Sequence, residues 1–204
     1  MEISVWTAFL GLSFIYCLVP GPSVCFTIAH SMQHGISRTN LSIAGQIAGD
    51  AFYILFVCFG LGSLIEGSIE LFYAVKYIGA AYIVYLGIKQ VLSPGLSLEF
   101  RVDSGQKTRI KSFLDGFVIC GTNPKTFFYY AAFLPQFVVP TYDRRMQLIL
   151  LGLGSMVIVF ASLAFYNFAG KKAKDLLVKK DFFRYSHYLV GSLFIIAGVF
   201  LGFL

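Results

Sequence analysis

Two ionisable residues, Asp50 and Lys125, lie deep inside apolar stretches of this sequence. A charge at the centre of a membrane-spanning helix costs about 2.5–3.5 kcal/mol on insertion scales, so such a residue is a functional candidate by default. The Asp50 carboxylate can bind a proton or an ammonium group, and the Lys125 ammonium can bind a carboxylate. The structural alternatives are an aspartate bonded to backbone groups and an ion pair between the two.

Prolines interrupt two of the apolar stretches, at Pro20-Gly21-Pro22-Ser23 and at Asn123-Pro124-Lys125. A proline inside a helix removes one N–H and clashes with the preceding turn, which costs about 3 kcal/mol or more. In hydrocarbon, the freed carbonyls, such as those of Tyr16 and Cys120, need partners within the protein. Broken helices at matching places in two halves of a chain point to the binding site of a secondary transporter.

The second interruption has the residue order of a helix that restarts, because Asn123 is a good N-cap and Pro124 suits the first helical position. Lys125 then lies at the positive end of the new helix dipole, where a cation is disfavoured. This placement predicts an anionic counterpart for Lys125. The counterpart is Asp50, a substrate carboxylate, or each in turn.

A free amino acid suits these groups. Its carboxylate can bind the helix N–H groups that follow Pro22 or Pro124, because helix N-termini bind anions. Its ammonium can bind the freed carbonyls or the Asp50 carboxylate. Gln46, one turn before Asp50, and Ser23 are further candidate polar contacts, and plain packing is the alternative for each.

The composition is that of an all-α integral membrane protein. Of 204 residues, 57% are hydrophobic and 13% charged, whereas soluble domains carry roughly 25% charged residues. A membrane-spanning helix needs about 20 mainly apolar residues. Such stretches predict transmembrane helices at Val5–Ala29, Leu41–Leu64, Leu71–Ile88, Phe113–Val139, Met146–Phe168 and Tyr185–Leu204. Little sequence remains for a soluble domain, and the first stretch is too long for a cleaved signal peptide.

The basic residues predict the orientation in the membrane. Twelve Lys and Arg residues lie on the side of the His30–Asn40 loop, and three lie on the other side. The positive-inside rule makes the first side cytoplasmic and places both termini outside. Counted from the cytoplasmic ends, Gly21, Asp50 and Pro124 then lie about 12–17 Å deep, so they converge near the midplane.

The chain divides into two three-helix repeats, residues 1–92 and 112–204, joined by a cytoplasmic linker at 93–111. With three helices in each half, the second repeat must insert upside down, which is an inverted-topology repeat. Helices one and four are then the broken ones.

Glycines in spans two and three predict close helix packing. Gly45 and Gly49 form a GxxxG pair, and Gly79 and Gly87 lie among tyrosines. Small residues at this spacing let helix backbones approach. Packing within one chain is favoured over dimerisation, although association into a homo-oligomer stays open.

The remaining polar residues indicate neither enzyme nor cofactor chemistry. His30, His34 and His187 lie near span ends without metal-ligand spacing and are predicted to be interfacial. No nucleophile or acid–base arrangement is visible, so an enzyme is not expected. A cation or metal-ion exporter is the alternative function, although one buried aspartate is a poor ligand set. The net charge of +6 predicts contact with anionic lipid headgroups, not nucleic acid.

The order of these motifs resembles the LysE/RhtB family of bacterial amino-acid exporters. The resemblance covers most of the chain, and two further segments, Phe113–Phe117 and Leu134–Phe137, carry it in the second half. It implies export of amino acids or their derivatives across the inner membrane, driven by proton exchange. Thr39-Asn40 and Gly121-Thr122 depart from the family pattern, and the second departure is expected to alter the lining beside the break.

Overall fold

The computed structural model describes residues 3–18, 21–61, 69–92, 108–139 and 141–172, with isolated positions after 187. All regular elements in these ranges are helical. Pro20, most of the linker and most of the sixth predicted span lie outside the described residues. The helices are α1 (Ile3–Leu18), α2 (Pro22–Leu55), α3 (Ile69–Leu92), α4 (Arg109–Gly121), α5 (Pro124–Phe128) and α6 (Arg144–Lys172).

By length and composition, two helical segments of the described residues could cross a membrane, Pro22–Phe59 and Arg144–Gly170. The first of them is interrupted at Gly35. Shorter apolar helices cover Ile3–Cys17 and Tyr77–Lys89. The outward face of α6 is apolar, since Val157 and Phe165 are each 68% exposed. The all-helical architecture predicted from composition is confirmed, whereas six spans in two inverted repeats stay a prediction.

The chain leaves and re-enters helical geometry at both proline interruptions. Gly21 is extended, with φ −123° and ψ −171°, and α2 begins directly after it at Pro22. Asn123, with φ −81° and ψ 108°, precedes α5 in the same way. Proline is preorganised for the first helical position, where its missing N–H costs nothing.

The prediction of a loop at His30–Asn40 is wrong. These residues are helical on both sides of Gly35, which alone departs from helical angles, with φ 77° and ψ 169°. Gln46 bonds Thr27 and His30 bonds Thr39, so the two parts of α2 run antiparallel. A glycine tolerates positive φ without a steric penalty, and therefore one residue reverses the chain where a longer loop was expected.

The second part of α2 packs backbone to backbone against α4. A Cβ added to Gly45 would collide with the Phe113 carbonyl oxygen, and one added to Gly116 would collide with the Ser42 carbonyl oxygen. A Cβ on Gly49 would lie 2.8 Å from Cys120. This contact within the chain positions the next residue of α2, Asp50, against the end of α4.

A π-helical turn (Tyr129–Phe133) and a 3₁₀ turn (Leu134–Phe137) continue the chain after α5. Gly79 of α3 lies against Ala132 of the π-helical turn so closely that a Cβ would overlap it. Gly87, further along α3, is buried. The π-helical turn thereby packs between α3 and the core residue Phe9 of α1.

Candidate functional site

The two interruptions and Asp50 meet at one cavity of about 60 Å³. Six residues predicted from the sequence line it: Gly21, Ser23, Gln46, Asp50, Asn123 and Lys125. Pro22 and Pro124 adjoin lining residues without lining the cavity themselves. The other lining residues are Tyr16, Cys17, Val24, Cys120, Thr126, Tyr129, Tyr130, Val159, Ser162 and Leu163.

The Lys125 ammonium binds the end of α1. Its Nζ donates to the Tyr16 carbonyl at 3.1 Å and lies 4.2 Å from the centre of the Tyr16 ring. In return, the Tyr16 hydroxyl donates to the Lys125 carbonyl at 2.6 Å. The freed carbonyl of Tyr16 has thus found a donor on the other interruption, as burial in an apolar medium requires.

Gly21 makes room for the stem of Lys125. A Cβ at this position would lie 3.0 Å from Lys125 Cδ. The absence of a side chain at Gly21 therefore has a steric cause, which the sequence pattern alone does not reveal.

The restart at α5 is closed by local hydrogen bonds. Asn123 Oδ1 accepts from the Lys125 N–H at 3.0 Å, so the predicted N-cap is formed. Asn123 Nδ2 donates to Ser23 Oγ at 3.1 Å, which links the two interruptions directly. The Cys120 carbonyl accepts from the Asn123 N–H, and the Gly121 carbonyl accepts from the Tyr53 hydroxyl.

The start of α2, by contrast, has no capping side chain. Its first bond within the helix runs from the Cys25 N–H to the Gly21 carbonyl. The N–H groups of Ser23 and Val24 precede that bond, and the first N–H groups of a helix have no acceptor within it. Both residues line the cavity, so this helix N-terminus offers donors for an anion.

Asp50 is 3% exposed, and its two carboxylate oxygens differ in their contacts. Oδ1 accepts a hydrogen bond from Cys120 Sγ at 3.4 Å. Oδ2 has no hydrogen-bond partner among the described residues. The Lys125 ammonium bonds the Tyr16 carbonyl in this conformation, and pairing of Asp50 with Lys125, one alternative that the sequence left open, stays a prediction.

Gln46 lies one helical turn before Asp50 and is 1% exposed. Its amide Nε2 donates to Thr27 Oγ1 at 2.9 Å. Its Oε1 has no hydrogen-bond partner within the described part of the chain. Positions four apart share a helix face, so two acceptor oxygens without partners adjoin the same cavity.

Aromatic residues contribute more of the lining than the sequence suggested. The rings of Tyr16 and Tyr129 lie 4.6 Å apart. The Tyr129 hydroxyl bonds Ser13 at 2.7 Å, and the Tyr130 hydroxyl bonds Ser155 at 3.3 Å. Their one sequence signal is position, because Tyr16 precedes Pro20 by one turn and the tyrosine pair follows Pro124.

Two further expectations are wrong. Gly121 and Thr122 are exposed and do not line the cavity, because the Thr122 hydroxyl bonds back to the Val118 carbonyl at 2.8 Å. His30 is fully buried rather than interfacial, and its Nδ1 lies 2.8 Å from Thr39 Oγ1. The hairpin at Gly35 folds this histidine inward against the second part of α2.

Comparison with known proteins gives consistent results. The family model for the LysE type translocator matches residues 14–203. A homoserine/homoserine lactone efflux protein of Salmonella typhi is 29% identical over 201 residues, covering 98% of this chain and 97% of its own length. A leucine efflux protein of Enterobacter sp. (strain 638) is 29% identical over 195 residues, covering 95% and 92%. An uncharacterized membrane protein of Vibrio cholerae is 32% identical over 158 residues, covering 78% and 77%. No solved structure matches the chain.

Proposed function

Because the chain belongs to the LysE type translocator family, we propose that it exports amino acids or amino-acid derivatives by exchange with protons. The relatives named above carry homoserine, homoserine lactone and leucine in their names. We propose substrates of this kind, together with threonine and basic amino acids. We also propose the bacterial inner membrane as its location, with both termini outside.

The observation that carries the proposal is a pair of buried acceptor oxygens, Asp50 Oδ2 and Gln46 Oε1, to which no described residue donates a hydrogen bond. Buried polar atoms almost always have a hydrogen-bond partner, so two such atoms beside one cavity call for an explanation. A primary ammonium group supplies three N–H donors and a positive charge. The substrate ammonium is therefore proposed to bind here.

The substrate carboxylate is proposed to bind on the opposite side of the cavity. Lys125 supplies a cation, and the uncapped start of α2 supplies the N–H groups of Ser23 and Val24. The two interruptions present these donors together because Asn123 bonds Ser23. A charge-assisted hydrogen bond to a carboxylate is about twice as strong as a neutral one.

The described conformation is too closed to hold such a substrate. The cavity measures about 60 Å³, whereas a cavity of roughly 150 Å³ binds benzene. Homoserine and leucine each have more non-hydrogen atoms than benzene. Substrate entry therefore requires the interrupted helices to move, and the two chain breaks are the places where such movement costs least.

Asp50 gives a simple exchange cycle. With the site open to the cytoplasm, the ionised carboxylate binds the substrate ammonium. With the site open to the outside, a proton takes the place of the ammonium and the substrate leaves. Since Oδ2 accepts either a proton or an ammonium donor, the two ligands exclude one another and transport becomes antiport.

The test uses purified protein in liposomes loaded with homoserine, homoserine lactone, threonine, leucine and lysine. An inward proton gradient is imposed, and mass spectrometry records which compounds leave. The expected result is selective release that stops when a protonophore collapses the gradient. Release that does not depend on the gradient would contradict antiport. No release above that from loaded liposomes without protein would contradict amino-acid export.

The alternative function, export of a cation or metal ion, is less well supported by the described residues. Within the described ranges, no group of three or more His, Cys, Asp or Glu residues could hold a metal ion. Cys120 touches Asp50, but the pair lacks a third ligand of this kind. The observations therefore favour the amino-acid substrate.

A further inference from the structure

The Tyr16 carbonyl accepts a hydrogen bond from outside its own helix. Its regular donor would be the N–H of residue 20, but Pro20 has none. The Lys125 ammonium replaces that donor at 3.1 Å, and it also lies over the Tyr16 ring. A carbonyl oxygen beside an aromatic face is a favourable combination for an ammonium group. The carbonyl accepts a hydrogen bond from the ammonium, and the ring face attracts its positive charge.

We propose that the Tyr16 carbonyl and ring form a binding subsite for primary alkylammonium groups. In this conformation Lys125 occupies the subsite with its own ammonium. A ligand ammonium binds there when the Lys125 ammonium is absent. The inference rests on the proposed function only in taking the side-chain ammonium of a basic amino acid as the natural second occupant, since the other substrate ammonium is proposed to bind Asp50 and Gln46.

The backbone and the ammonium of Lys125 make different hydrogen bonds. The Lys125 N–H is held by Asn123 Oδ1, and its carbonyl accepts the Tyr16 hydroxyl. These bonds do not involve the ammonium, so the backbone can stay in place while the ammonium exchanges. The stem lies over Gly21, where no side chain obstructs it, and truncation of residue 125 at Cβ vacates the space of the three outer methylene groups and the ammonium.

The experiment uses Lys125→Ala in the full chain, in detergent, with n-propylammonium chloride as the probe. Propylammonium reproduces the lysine side chain beyond Cβ. A ligand that binds only the folded state raises the unfolding midpoint in a saturable manner. We expect this rise in Lys125→Ala.

Three matched comparisons decide the result. Lys125→Met fills the space of the lysine stem with an apolar chain and is expected to show no saturable rise of the unfolding midpoint. Tetramethylammonium carries the same charge but no N–H, and is expected to have no effect on Lys125→Ala. Adding Tyr16→Leu to Lys125→Ala removes the ring and is expected to weaken propylammonium binding about tenfold.

Equal rises in Lys125→Ala and Lys125→Met, equal effects of the two cations, or no rise at all would each overturn the subsite. If Lys125→Ala does not fold alone, it is expressed and purified with each cation present. Folded protein recovered with propylammonium only then supports the subsite, and no such difference overturns it. Because no gradient or amino acid is used, this outcome is independent of whether the protein exports amino acids.

Discussion

The two proline interruptions differ in how their ends are satisfied. We call the region from Leu18 to Pro22 the first break and the region from Gly121 to Pro124 the second break. Both restart a helix with proline in the first position. The second break is capped by the Asn123 side chain, whereas the first has no capping side chain.

This difference separates two roles. At the second break, the Asn123 cap and the bond from Tyr53 to the Gly121 carbonyl fix the backbone that carries Lys125. At the first break, the Tyr16 carbonyl and the N–H groups of Ser23 and Val24 are left for partners outside their own helices. The second break therefore holds the Lys125 side chain at the cavity. The first break supplies backbone carbonyl and N–H groups that bind partners there.

The largest effect is expected from Asp50→Asn, which tests whether the exchange site lies between the breaks. The amide cannot carry the negative charge that binds an ammonium or a proton. Proton-driven export in liposomes is expected to fall to the level of empty liposomes, while folded protein stays in the membrane. Asp143→Asn is the control, because Asp143 is exposed and caps α6 through Met146, and asparagine caps equally well. Full coupling in Asp50→Asn would remove this carboxylate from the mechanism.

A large loss of stability is expected from Gly116→Ala, which disrupts the packing of α4 against α2. The new methyl group would collide with the Ser42 carbonyl oxygen, and overpacking of a core costs about 1–3 kcal/mol or more. The measurement is the unfolding midpoint and the yield of folded protein in detergent. Gly121→Ala adds the same methyl group where nothing lies within 4 Å, and it is expected to be close to neutral. Similar losses in both variants would contradict the packing argument.

An intermediate effect is expected from Lys125→Ala on transport. A hydrogen bond to a charged group contributes about 1.5–3 kcal/mol, so carboxylate-bearing substrates are expected to be exported about tenfold or more slowly. Homoserine lactone has no carboxylate, and its export is expected to fall much less. The ratio of homoserine to homoserine lactone release from one liposome preparation measures the difference. An unchanged ratio would show that Lys125 does not bind the substrate carboxylate.

The smallest effects compare the breaks directly. Asn123→Ala removes the cap of α5 and is expected to cost about 1 kcal/mol of stability. Asn123→Ser keeps a capping oxygen without adding a charge and is expected to recover most of that loss. Ser23→Ala, at the uncapped first break, removes only the acceptor for Asn123 Nδ2 and is expected to cost less. Thermal unfolding of the three variants gives the order, and a larger loss in Ser23→Ala than in Asn123→Ala would reverse the roles assigned to the breaks.

Much of the site was predictable from residue chemistry. Prolines in apolar stretches and one deep aspartate are destabilising in a membrane, and such residues point to a candidate binding site. Six of the nine predicted pathway residues line the cavity, and the expected donor for the Tyr16 carbonyl exists. The family resemblance is confirmed by the match over residues 14–203.

The errors come from conformations and contacts that composition does not report. The hairpin at Gly35 buries His30, and local composition does not report that a single glycine reverses the chain. The sequence also does not report that the buried Cys120 thiol donates to Asp50, seventy positions away. Nor does it report that the ring and hydroxyl of Tyr16, as well as its carbonyl, contact Lys125.

The sequence by itself determined where the helices break and which charges fall inside apolar stretches, because proline geometry and hydropathy are local properties. The tertiary structure decided which partner each freed group found. Lys125 bonds the Tyr16 carbonyl and leaves Asp50 Oδ2 without a hydrogen bond among the described residues. The position of Asp50 beside Cys120 follows from the close approach of α2 and α4 at Gly45 and Gly116, and such packing distances are properties of the folded chain alone.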